Sequence, residues 1–190
     1  MPDILKAVLA SAAMLFAVCC GNGDTSPAAE SAETTRNQVN LEIYTNEENG
    51  FAIGFPTDWN VQENVLGTAV TAYSPMANGS DHFRESVSVT VLPLAPGTDL
   101  DAFFEQEYGN KANLYQDFRE VERNRVIIGG TDAIAVIYTY SLGGRHAIEL
   151  MYAAAAGETG YVILCEAVPD SFDNFSSLFE AIASSFEILN

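Results

Sequence analysis

Basic side chains are scarce. The 190-residue chain carries 8 Lys and Arg against 26 Asp and Glu, a net charge of −18. That balance disfavours nucleic acid and anionic membrane surfaces as direct partners, because phosphate contacts are made by Lys and Arg. Histidine is nearly absent as well: His82 and His146 are the only two, and neither stands in a recognisable nucleophile motif. Of three cysteines, Cys19 and Cys20 are adjacent near the N-terminus, so Cys165 is alone in the rest of the chain and no intradomain disulfide is available. Cys165 lies in the apolar run YVILC, which reads as a buried thiol acting as a small hydrophobe. There is no G-x-S-x-G, H-E-x-x-H, phosphate loop or C-x-x-C. The expectation is therefore a protein that is not an enzyme. An apolar run of bilayer-spanning length is also missing, since the uncharged stretch Ala7–Cys20 is about 14 residues, short of the ~20 a spanning helix needs.

That short run is informative in itself. Lys6 precedes it, and a glycine and the polar segment GNGDTSPAAESAETTRNQVN follow it. The length suits a signal-peptide apolar core. The run LFAVCCG resembles the end of a bacterial lipoprotein signal, in which a small residue precedes the lipidated cysteine. The resemblance implies acylation of Cys20, with Cys19 as the alternative; Val18 before Cys19 is branched where the pattern prefers a small residue. An ordinary secretory signal cleaved nearby is the other reading. Residues 21–40 hold no aromatic residue and cannot bury enough apolar surface to fold, so they read as a flexible tether. The expected organisation is a lipoprotein-type signal over 1–20, a polar tether over 21–40 and one domain over 41–190, roughly 150 residues and enough for a core of its own.

The domain opens with LEIYTNEENGFAIGFPTDWNV, residues 41–61. Two alternating runs flank a polar turn and end in Pro56 and an aromatic plug, Trp59. This hairpin reads as the start of the sheet that the rest continues. Residues 61–67 read as a short connection with at most a brief strand, and residues 68–74 as a strand. In ESVSVTVL, Val87, Val89 and Val91 alternate with hydroxyl residues, the mark of a strand buried on one face. Thr98 or Asp99 can cap a helix starting at Leu100, which Gly109-Asn110 is expected to stop or bend. Residues 118–128 read as a polar strand. Gly129-Gly130, Gly143-Gly144 and residues 157–160 then punctuate three hairpins in an antiparallel meander. Asp170 or Ser171 can cap a last helix with the stripe Phe172, Phe175, Leu178, Phe179, Ile182 and Phe186, and an extended tail closes the chain.

The order and spacing of these elements resemble the PsbP-like superfamily, which includes photosystem II extrinsic proteins, DcrB-type lipoproteins and Ran-binding Mog-type proteins. The resemblance is carried by Tyr44, Gly50-Phe51-Ala52-Ile53, Phe55-Pro56 and Trp59, by the strand FRESVSVTV, by Leu100-Asp101-Ala102-Phe103, by Gly129-Gly130 and by Ser185-Phe186-Glu187-Ile188. It implies an α+β fold, an antiparallel β-sheet of about six strands flanked by helices as a PsbP-like α-β-α sandwich, with no activity common to the fold.

Candidate sites are few. Asp81, His82 and Glu85 are the one place where two carboxylates and an imidazole lie close in sequence, a conceivable divalent-cation site. Arg119, Arg123 and Arg125 share a strand with Glu120 and Glu122 and read as cross-strand ion pairs. The expectation is a lipid-anchored cell-envelope protein, on the periplasmic or extracytoplasmic face, whose domain binds a protein partner, touches the membrane only through its anchor and holds no cofactor. Two alternatives are a divalent-cation-binding accessory protein and a hydrolase with an unrecognised carboxylate site.

Overall fold

The computed structural model describes residues 40–76 and 83–189. Cys19, Cys20, Asp81 and His82 lie outside the described residues. The elements are β1 (Leu41–Asn46), β2 (Phe51–Pro56), β3 (Asn60–Glu63), β4 (Val70–Tyr73), β5 (Ser86–Pro93), α1 (Leu100–Leu114), β6 (Gln116–Ile128), β7 (Thr131–Leu142), β8 (Arg145–Ala156), β9 (Thr159–Ala167), α2 (Phe172–Ser184) and β10 (Glu187–Ile188). They form a seven-stranded sheet of order β3-β4-β5-β9-β8-β7-β6 and a three-stranded sheet of order β1-β2-β10, with every pairing antiparallel. The α+β class holds. The main sheet has seven strands where about six are expected, and the opening hairpin belongs to the second, three-stranded sheet rather than beginning the main one. After Pro56 the chain turns, with the Trp59 N–H donating to the Pro56 carbonyl at 3.0 Å, and enters a second sheet at β3. The extended tail is the third strand of the small sheet, Glu187 pairing with Ala52 and Ile188 with Phe51.

The main sheet is buried on both faces over much of its width. Helix α1 covers one face through Phe103 and Phe104, packed with Val136, Tyr138, Met151 and Val162. Helix α2 and the small sheet share the other, where Phe179, Ile182, Phe51 and Phe55 meet Val87, Val89, Ile163 and Cys165. Double coverage explains why β7 is buried continuously from Ala133 to Tyr138, whereas β5 alternates. Burial holds Cys165 as a thiol, well above its ordinary pKa.

Helix α1 begins as expected, with an Asp99 carboxylate oxygen accepting from the Ala102 N–H at 2.8 Å. It does not stop at Gly109-Asn110 but runs on to Leu114. Tyr108 is anchored before the glycine, with ring centroids 5.7 Å from Phe104 and 5.3 Å from Phe118, and Tyr115 after it, 3.9 Å from Tyr140. Those contacts outweigh the ~1 kcal/mol that a helical glycine costs. Ser171 is the N-cap of α2, yet its hydroxyl donates elsewhere, to Glu85 at 2.6 Å.

Among the described residues, Gly129 and Gly160 illustrate positions where a close approach requires glycine. Gly129, in the β6–β7 turn at φ +51°, would place a Cβ 1.5 Å from the Phe186 carbonyl oxygen. Gly160, on β9, would place one 2.5 Å from Cζ of Phe103, so the ring of α1 rests on bare backbone there.

Candidate functional site

An open pocket of about 260 Å³ lies at the seam between the two sheets. Glu42, Ile43 and Tyr44 of β1 form one wall. Phe55, Pro56 and Thr57 form the floor, and Trp59 and Val61, leading into β3, close the other side. The register of the hairpin explains these positions. Glu42 pairs with Phe55 and Tyr44 with Ile53, so both side chains stand on the face of β1 that looks toward the main sheet. Tyr44 lies 6.2 Å from both Phe51 and Phe55, centroid to centroid. Its hydroxyl donates to Glu63 at 2.7 Å and accepts from the Asn46 amide at 3.0 Å, linking β1 to β3 across the seam. Trp59 is 8% exposed and packs on Phe175 of α2 at 6.3 Å, whereas Ile43 is 59% exposed and Val61 40%. The pocket lining thus combines two buried aromatic rings, Phe55 and Trp59, with two exposed aliphatic side chains, Ile43 and Val61. Both β1 and β3 are terminal strands of their sheets.

A second polar feature crosses the main sheet under α1. Glu120, Tyr138, Glu149, Glu166 and Ser86 pair directly in sequence across β6, β7, β8, β9 and β5, so their side chains share a face. Glu149 is 3% exposed, and burial raises its pKa, with Glu166 beside it acting in the same direction and Lys111 opposing. The Tyr138 hydroxyl donates to Glu149, and the Tyr140 hydroxyl donates to Glu166 at 2.6 Å. Burial first, and then the charge of Glu149, holds Tyr138, Tyr140 and Tyr115 protonated. Two neighbouring carboxylates are the raw material of hydrolysis, but the pocket shares no lining residue with this row. Tyr115 stacks on Tyr140 with an interplanar angle of 13° and covers that end. The arrangement is that of a satisfied polar layer in the core.

Of the sequence-derived candidates, Glu85 is the described member of the cation triplet. It is buried, and its two carboxylate oxygens accept from Ser74 at 3.0 Å and Ser171 at 2.6 Å, which ties β5 to the start of α2. Among the described residues no group of three metal-ligating side chains comes together. His146 sits at the β7–β8 hairpin with Nδ1 2.9 Å from the Ser141 hydroxyl. The arginine strand is corrected in its partners. Arg123 pairs with Glu105 at 2.5 Å and with Glu120 at 2.7 Å, and Arg125 pairs with Asp101 at 2.5 Å. Glu105 and Asp101 belong to α1, so those two pairs run from strand to helix, and the Glu120 pair stays within β6; none of the three crosses to a neighbouring strand. β6 is an edge strand whose guanidinium groups reach the covering helix, and that of Arg123 lies over the rings of Phe104 and Tyr108 at 4.6 and 4.5 Å. The seam pocket escaped the sequence reading because it joins residues of two sheets. The polar row had a signal: Glu149 interrupts the otherwise apolar AIELMYA.

Comparison with known structures shows a PsbP-like fold. CyanoP, the PsbP of the cyanobacterium Synechocystis, matches at a TM-score of 0.60 and 15% identity, over 90% of this chain and 98% of that one. LpqN of Mycobacterium tuberculosis, involved in cell envelope biogenesis, matches at a TM-score of 0.60 and 14% identity, over 87% and 100%. The Saccharomyces cerevisiae Ran-binding protein Mog1p matches at 0.56 and 12%, over 80% and 97%. The chain belongs to the family described as serine/threonine kinase C-terminal domain, which it matches over residues 44–188. No curated protein matches it. No helix among the described residues is long and apolar enough to cross a membrane.

Proposed function

We propose that the chain is a lipid-anchored cell-envelope protein whose domain is a non-enzymatic module that binds another protein. The observation that carries the reading is the open seam pocket, whose lining combines buried Phe55 and Trp59 with the exposed aliphatic residues Ile43 and Val61. Apolar side chains gathered at a concavity are where a partner gains burial, unlike those exposed singly. The relatives lend support of a coarser kind: one is named for Ran binding and another for cell envelope biogenesis. The family description names a domain carried at the end of a kinase, a module beside a catalytic unit rather than the unit itself.

The anchor rests on the leader. Its apolar run stops at Cys19-Cys20, and a glycine and a polar tether follow at once. A diacylglyceryl group on Cys20, or on Cys19, supplies two chains, enough for stable anchoring at roughly 0.8 kcal/mol per buried methylene. Loss of the leader removes Asp3 and Lys6, so acids fall from 26 to 25, bases from 8 to 7, and the net charge stays −18. Such a domain stands off an anionic surface on its tether, which spans roughly 25 Å as a flexible coil. In a lipoprotein-processing bacterium the full chain should partition into detergent and capture one discrete partner on cross-linking. The double change Cys19→Ser, Cys20→Ser should release it. A fully soluble parent with an unmodified N-terminus refutes the anchor, and a soluble catalytic activity without a specific partner refutes the binding reading.

A further inference from the structure

The seam combines a strand edge, a side-chain-sized pocket and charge of one sign. β1 ends the small sheet, and its outer backbone groups have no partner among the described residues. Exposed sheet edges are usually guarded by charges, bulges or irregular twist. The β6 edge is guarded in all these ways. It carries Arg119, Glu120, Glu122, Arg123 and Arg125, two register irregularities, and Asp117 at φ +52°. β1 has six regular residues and a single charge, Glu42. β3 and β10, the other two terminal strands, are shorter, at four and two residues, so β1 is the longest edge without such guards, and it lies beside the pocket.

The pocket, at about 260 Å³, falls below the ~300–1,000 Å³ typical of small-molecule sites. It suits one anchoring side chain. The surroundings then select its neighbours. From Asn37 to Phe83 the chain has no Lys or Arg, while Glu42, Glu47, Glu48, Asp58 and Glu63 all lie in or beside the first three strands. Glu42 lines the pocket, and Glu63 is held toward β1 by the Tyr44 hydroxyl. The bases of the domain lie elsewhere, three of them on β6.

We propose that the free edge of β1 receives an extended, lysine- or arginine-bearing segment of a partner protein, which adds a fourth strand to the small sheet and seats an apolar side chain in the pocket beside Trp59. The inference rests on the protein-binding reading and gives the partner its chemistry. Side chains alternate faces along a strand, so bases that share a face with the apolar anchor stand an even number of positions from it, and two positions either side is the nearest spacing that sets one toward Glu42 and one toward Glu63. The fitting pattern is base, any, apolar, any, base. Main-chain pairing supplies general affinity and the pocket supplies selectivity, as in other strand-addition complexes.

The test uses the full chain and the peptide Thr-Lys-Thr-Val-Thr-Lys-Thr. Its controls are the same peptide with both Lys replaced by Glu, and the same peptide N-methylated along one backbone edge, with each edge blocked in turn. Amide shifts should move over residues 41–46 together with the Trp59 indole. One of the two N-methylated peptides should bind roughly tenfold more weakly or worse, and the double variant Glu42→Lys, Glu63→Lys should weaken the parent peptide by a similar factor. The glutamate peptide should not bind. Equal binding of both N-methylated peptides and their parent overturns strand addition, and equal binding of the glutamate peptide overturns the charge requirement. Shifts centred on β6 around Ile127 overturn the choice of edge. Self-association of the chain that Glu42→Lys abolishes makes the occupant a second copy and overturns the proposal. If no peptide binds at the seam but the cross-linked envelope partner is retained by the double variant, the inference fails and the protein-binding reading stands. If neither peptide nor partner binds the parent chain, both fail.

Discussion

Replacing Trp59 with Ala should destabilise the domain by about 3–5 kcal/mol. The side chain is 8% exposed and sits between the seam pocket and Phe175 of α2, with ring centroids 6.3 Å apart and planes at 55°. An aromatic of this kind buries about 150–250 Å². At about 25 cal/mol per Å² that contributes about 4–6 kcal/mol, and compaction of the unfolded chain takes off about 10–40%. What remains agrees with the usual cost of truncating a core Trp. Urea titration by far-UV circular dichroism is the assay, because Trp59 is the single Trp and the variant has no indole fluorescence to follow. Phe175→Ala and the double variant close a cycle, in which the ring pair should couple by about 0.5–1.5 kcal/mol. An unchanged midpoint at unchanged slope would show Trp59 to be peripheral rather than a packed wall of the pocket.

Gly129→Ala should cost at least about 2 kcal/mol, more than Gly143→Ala, because both have positive φ but Gly129 alone would meet the Phe186 carbonyl; equal midpoints in urea would contradict the close approach. Gly160→Ala should cost about 1–3 kcal/mol by overpacking against Phe103. Adding Phe103→Leu should then cost less than it does in the parent, and strict additivity would refute the contact. Glu149→Gln should change the pH dependence of stability. The folded-state pKa is raised above the ordinary 4.5 by burial, so between that value and its folded pKa the native state holds a proton that the unfolded chain has lost. This contribution to stability is full below pH 4.5 and is lost as pH rises through the folded value. Titrations at stepped pH should show a shallower decline in the variant, with a residue of slope from Glu180, which burial also raises; an unchanged slope would mean that Glu149 ionises normally.

Much of the fold was legible because periodicity speaks for local structure. The valines of β5, the glycine pairs at φ +51° to +82° in the β6–β7 and β7–β8 turns, and the aromatic stripe of α2 all lie where the pattern puts them. What periodicity cannot carry is which sheet a strand joins. β2 and β3 are four residues apart, yet the turn at Pro56 sends them into different sheets, and β2 takes β10 from the far end of the chain as its neighbour. The seam pocket inherits that illegibility, since its two sides belong to those two sheets. Helix α1 continued through Gly109 for a similar reason: the rings that hold it, Phe118, Tyr138 and Tyr140, are distant or later in sequence, and local propensity knows nothing of them. Glu149 was visible as a charge in an apolar strand, but the tyrosines that satisfy it and its neighbour Glu166 are set by register.

The two polar features of the domain differ in what they leave undone, and the difference bears on affinity. In the row under α1 the Glu149 and Glu166 carboxylates already accept from tyrosine hydroxyls, so a ligand arriving there would have to break contacts before making any. At the seam a partner exchanges mainly hydration: among the described residues the outer backbone groups of β1 have no protein partner to release, and Ile43 and Val61 already stand in water. The gain is nonetheless limited. Full burial of an aliphatic side chain contributes about 1.5–3 kcal/mol, and each added main-chain hydrogen bond a net ~0.5–1.5 kcal/mol. Association itself costs about 4–15 kcal/mol in lost freedom. A six-residue edge with one anchor pocket therefore supports weak binding in free solution. A tether of the proposed kind changes that arithmetic without adding a contact, because two partners held at one membrane meet at an effective concentration that can reach the millimolar range. Removing the anchor should then weaken capture of a membrane-bound partner far more than it weakens binding of a soluble peptide from the same site. Measuring the two losses side by side separates the work of the lipid from the work of the strand.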